Sequence, residues 1–156
     1  MANPEGPGRA AAAVWHYTVV ERLQHIFQAG ELRPEREGIP RKEKAAVWFS
    51  ANPVWEPTAN RVIRNAAGVR ARLTKDQTIV LGGGLARIGV AAAVAPVDWK
   101  AFKKQSGISP DRARAIYEEA IGIGARPAEW FATFEPVPRS QWLAVEVWEN
   151  ERWVPR

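Results

Sequence analysis

The chain has 156 residues, a net charge of +5, 46% hydrophobic and 25% charged residues, eight tryptophans and no cysteine. This length fits one domain with its own core, and the missing thiol excludes disulfides, thiolate nucleophiles and cysteine-based zinc sites. Two histidines argue against a multi-histidine metal centre, and no apolar run approaches the roughly twenty residues that span a bilayer.

Residues 1–13 lack the basic start and leucine-rich centre of a secretory signal, so a cytoplasmic location without membrane contact is expected. The basic excess favours anionic partners such as nucleotides or nucleic acid. The arginines are scattered, however, with no basic stripe interleaved with exposed aromatics.

Residues 1–11 read as a flexible N-terminus and 12–156 as a single domain. A strand is predicted over 12–17, then a helix over 19–29 with Leu23, Ile26 and Phe27 on one face and Gly30 at its C-terminal cap. His25 falls off that face and points to solvent. The charged stretch 32–44, with Pro34, Gly38 and Pro40, reads as a surface loop.

A buried strand follows over 45–49 and stops at Asn52-Pro53. Pro57 suits a first helical turn, which predicts a helix over 57–65. Residues 78–81 and 86–94 read as strands around the Gly82-Gly83-Gly84 turn. That turn lacks the Lys-Ser/Thr of a nucleotide phosphate loop and has no helix behind it. Asp98 caps a helix over 99–105, and Ser109-Pro110 opens another to about residue 120. Strands are predicted over 130–137, 142–148 and 152–154, the last two joined by a tight turn at Glu149-Asn150-Glu151. Short strands mixed with short helices, without regular alternation, argue an α+β fold.

Three places carry candidate chemistry. His16-Tyr17-Thr18 ends the first strand, where a neutral imidazole can meet a ribose hydroxyl; the plainer reading is a histidine satisfied at a strand end. Ser50 closes the second apolar strand after Trp48, where it either supports a carboxylate or caps the strand. Behind it come Trp55, able to stack on a flat ring, and Glu56, suited to the positive end of a helix. In the late strand, alternation puts Trp142, Ala144, Glu146 and Trp148 on one face. A carboxylate between tryptophans is costly to bury unless hydrogen-bonded or functional.

His16-Tyr17-Thr18, Trp48-Phe49-Ser50 and Glu146 together resemble the ADP-ribosyltransferase superfamily, in its histidine-type branch of diphtheria-toxin-like transferases and RNA 2′-phosphotransferases. The resemblance implies a curved, split β-sandwich with NAD in its central cleft. His16, Tyr17, Thr18, Trp48, Ser50 and Trp55 would then bind NAD. His16 and Glu146 would be catalytic, with Glu149 and Glu151 competing for the carboxylate's part. The implied function is NAD-dependent mono-ADP-ribosyl transfer to a protein or nucleic acid, as in a toxin or phage-type effector. The rival reading is a non-catalytic binding or inhibitor protein acting on a nucleic-acid-associated partner.

Overall fold

Seven strands form one antiparallel sheet in the order β11-β10-β6-β1-β3-β8-β7. They belong to a computed structural model that describes residues 12–156; residues 1–11, read above as a flexible N-terminus, lie outside the described residues. The strands of this sheet are β1 (Ala13–Val19), β3 (Val47–Ser50), β6 (Leu85–Ala91), β7 (Val97–Asp98), β8 (Trp130–Thr133), β10 (Trp142–Glu149) and β11 (Arg152–Pro155). Two small ladders stand apart: β2 (Glu31–Leu32) with β9 (Val137–Pro138), and β4 (Val62–Arg64) with β5 (Arg70–Arg72). The described residues add four α-helices: α1 (Val20–Ala29), α2 (Lys75–Gly82), α3 (Trp99–Gln105) and α4 (Pro110–Gly122). The fold is therefore α+β with an antiparallel sheet. Among the described residues, no helix is long and apolar enough to cross a membrane.

Alternation sorts side chains onto the two faces of the sheet. One face carries Val14, Ile88, Val90, Phe49 and Val147, which pack against Leu23 of α1 and the β2–β9 ladder. On the other face two separate clusters form. Tyr17, Val19, Leu85 and Trp55 make one, under α2. Trp99, Phe102, Trp130 and Ala132 make the second, under α3 and α4.

The helix caps follow their residue chemistry. Gly30 ends α1 at φ 71°, and Asp98 and Ser109 accept the first-turn amides of Ala101 and Arg112. The β10–β11 turn holds Asn150 and Glu151 at φ 50° and 61°, the two-residue hairpin geometry that matches strand twist.

Three predicted elements are corrected. Residues 57–65 are not a helix: Pro57–Ala59 makes one 3-10 turn, and the chain then forms the β4–β5 hairpin. Pro57 does open a helical turn, but β-branched Val62 and Ile63 with the turn at Asn65 and Gly68 favour a ladder. Residues 78–81 are not a strand: Thr74 and Gln77 form a reciprocal capping box, which starts α2. The β-branched run misleads because it sits mostly outside, Val80 being 84% exposed. Gly82 is required here, since a Cβ on it would lie 2.4 Å from Val19 Cβ. The predicted strand 130–137 is broken in two: β8 stops at Thr133, and Val137 pairs instead with Leu32.

Candidate functional site

β1 and β3 share a single register pair, Trp15 with Ser50. This is the shortest ladder joining the two halves of the sheet and is termed the split below. Two cavities of about 770 and 760 Å³ open at this place, and His16, Tyr17, Trp48, Thr58 and Ala59 line both. They adjoin at these shared residues and are called here the two mouths of the cleft, each within the size range of small-molecule sites.

His16 crosses the split. Its Nδ1 lies 2.9 Å from the Trp48 carbonyl oxygen, which can only accept, so Nδ1 carries the proton and Nε2 is left as an acceptor. Burial pushes the imidazole pKa below its ordinary value, against the opposing pull of that carbonyl. The ring is therefore neutral near pH 7. Thr18 shares this face and lines the first cavity.

Ser50 is 1% exposed. Its hydroxyl donates to Glu56 Oε1 at 2.9 Å and accepts the Asn52 amide at 3.1 Å. Glu56, also buried, takes the Thr58 amide and hydroxyl on Oε2 at 3.2 and 2.7 Å. Both of its oxygens are engaged. Glu129 approaches from the neighbouring strand, because Ser50 pairs with Trp130 and Ala51 donates to the Glu129 carbonyl. The Glu129 carboxylate is half-buried, and its one contact among the described residues is a long one, 3.5 Å from the Asn52 side-chain amide.

Arginines at both mouths meet glutamates. Arg22, Arg33 and Arg61 line the first, each paired with a glutamate: Glu35, Glu31 and Glu21 respectively. In the second, Arg64, Arg70, Arg72 and Arg112 meet four glutamates, among them Glu56 and Glu119. Behind that mouth stand Trp48, Trp99 and Trp130, with ring centroids 5.3 to 6.2 Å apart.

The candidates from the sequence divide. His16, Tyr17 and Trp48 line both cavities, Thr18 only the first and Ser50 only the second. Tyr17, Trp48 and Ser50 are on the sheet face opposite His16 and Thr18. Trp55 lines neither cavity: it is a core residue, edge-on to Tyr17 and bonded through Nε1 to Asn60. Nor does Glu146. In register, His16 lies beside Ile88 and Val145, whereas Glu146 lies beside Arg87, so the carboxylate is on the sheet face opposite His16. There it binds Arg87 at 2.6 Å. This corrects its pairing with His16. Alternation within β10 is right, but β10 sits two strands from β1, and β6 supplies a cation for it. Glu149 and Glu151 are exposed in the hairpin.

Glu56 lines the second cavity beside Ser50, whereas Glu129 lines neither, and its carboxylate lies next to this place only through Asn52. The signal for Glu56 in the sequence is the run Ser50-Ala51-Asn52-Pro53-Val54-Trp55-Glu56, where an Asn-Pro turn folds the glutamate back onto the serine. Glu129 carries no local signal, since only the β3–β8 register brings it near. Among the described residues, no cluster of three or more His, Asp or Glu is arranged to hold a metal. No protein-family model, curated protein or solved structure matches the chain.

Proposed function

We propose that the chain binds NAD in the split between β1 and β3 and transfers its ADP-ribose to a macromolecular acceptor, as an effector of the ADP-ribosyltransferase type. What carries the reading is the split itself: one imidazole spans it, and a buried serine–glutamate pair stands on its rim. The antiparallel sheet, narrowed to one register pair at this seam, suits the curved split sandwich that the resemblance implies.

In this reading His16 Nε2 accepts a ribose hydroxyl, and the arginines of the first mouth face the pyrophosphate. Glu56 has both oxygens engaged by Ser50 and Thr58. The carboxylate that meets developing charge is therefore Glu129, which lies outside both cavities beside Asn52 and must turn inward to do so. As the bond from the ribose C1′ to nicotinamide breaks, nicotinamide leaves with the electron pair and the sugar becomes oxocarbenium-like. A carboxylate held near the 2′-hydroxyl stabilises that state more than the ground state. The acceptor nucleophile then bonds to C1′ and loses its proton. Glu56 orients Ser50.

The test is NAD cleavage by the wild type and by Glu129→Gln, with NAD-dependent melting as a second readout. The variant is expected to lose about 10²–10³ in kcat while keeping the rise in Tm that bound NAD produces. Equal activity removes Glu129 from the reaction. A wild type whose Tm does not respond to NAD sinks the reading and leaves the non-catalytic binding protein.

A further inference from the structure

We propose that the Arg87–Glu146 ion pair is a positioning device that, with Tyr17 and Trp153, fixes segment 52–56 against the sheet and so sets the geometry of Ser50, Glu56 and the neighbouring Glu129. The proposal rests on the reading of the cleft as the working site.

Three consecutive carbonyls of the segment each accept a donor from the main sheet. Asn52 O takes the Tyr17 hydroxyl. Pro53 O takes Arg87 Nη1 at 2.6 Å, and Val54 O takes Trp153 Nε1 at 2.8 Å. Side-chain donors from β1, β6 and β11 therefore grip one short stretch of backbone. Pro53 has no amide of its own to offer. The Asn52 side chain closes the turn by accepting from Val54 and Trp55. The same stretch leads from Ser50 to Glu56, and its Asn52 touches Glu129.

Arg87 is itself held on every side. Trp15 covers its guanidinium at 3.6 Å and Trp153 at 4.6 Å. Trp15 has room there because residue 89 is glycine, where a Cβ would sit 2.7 Å from the ring. Nε and Nη2 bind Glu146 Oε1 at 2.8 and 2.6 Å, and Nη1 also donates to the Tyr17 oxygen at 3.3 Å. A planar fork can serve a carboxylate and two oxygens of other elements together, which a lysine cannot. Buried ion pairs are a weak source of net stability. The placement of Nη1 accounts better for this pair than stability does.

Hydrogen exchange and steady-state NAD cleavage test the proposal on Tyr17→Phe, Trp153→Phe and Glu146→Gln. The first two keep the ring and remove one donor each, so they guard against a Glu146→Gln chain that does not fold. Amides of residues 54–60 are expected to exchange about tenfold faster, with those of α4 unchanged. kcat is expected to fall by a similar factor at nearly constant KM. Uniformly faster exchange, unchanged exchange in all variants, or local acceleration with kcat intact overturns the proposal. If the wild type cleaves no NAD, the functional reading fails, and exchange alone then decides whether the clamp exists.

Discussion

The imidazole of His16 and the main-chain carbonyl of Trp48 are joined across 2.9 Å beside the one register pair of β1 and β3. One side chain thus supplements the shortest ladder of the sheet.

Acidification should weaken this link. The folded pKa of His16 lies below the ordinary 6.5, so the unfolded chain binds the proton more readily, and stability rises with pH across that range. The His16 contribution is fully present above about pH 6.5 and is lost as pH falls through the depressed folded value. Melting followed from pH 7 downward should show the loss, and His16→Asn should flatten it. An unchanged slope in the variant removes His16 as its source.

Burial pushes the Tyr17 phenol up to about 12. A buried phenol that stays protonated remains a donor to Asn52 and contributes stability until pH rises past the unfolded value near 10. Ultraviolet titration should therefore resolve one late-ionising tyrosine of the two, and Tyr17→Phe should abolish that step. In stability at neutral pH the variant should lose about 1 kcal/mol, the net worth of one hydrogen bond.

Ser50→Ala deprives the buried Glu56 Oε1 of its donor. An engaged acceptor left bare in the interior should cost about 1–3 kcal/mol, read by chemical denaturation. Glu56→Gln in the same background should restore part of that loss, because the amide is cheaper to bury than the carboxylate.

The β4–β5 hairpin is strapped to α4 by Arg70 and Arg72, which reach Glu119 at 3.1 and 3.2 Å. Partial desolvation raises the Glu119 pKa, but hydrogen bonds and charge from Arg70 and Arg72 outweigh it and hold the group below 4.5. The strap is thus fully present above that value and is lost only as pH falls through the lowered folded value. Glu119→Gln should release it at neutral pH. Trypsin should then cut after Arg64 and Arg70 faster than in the wild type, with Tm little changed, since partly exposed ion pairs add little stability. Equal cutting rates would mean that the hairpin is held by other contacts.

Much of the fold was legible where capping and periodicity agreed, as in α1 with Gly30 and α3 with Asp98. It was illegible where two local signals conflicted. Pro57 announced a helix that Val62 and Ile63 did not continue, and β-branched residues 78–80 hid the capping box at Thr74. At the cleft, Thr18 and Ser50 stood out as polar residues near the ends of apolar strands, although His16 and Trp48 lie inside theirs. The carboxylates did not stand out. Whether Glu146 or Glu129 reaches that place depends on strand order and register across the whole sheet, and no local pattern encodes either.

His16, Tyr17, Trp48, Thr58 and Ala59 line both cavities. A substitution at any of these five positions therefore reshapes two chambers at once, and neither chamber can be altered there independently of its neighbour.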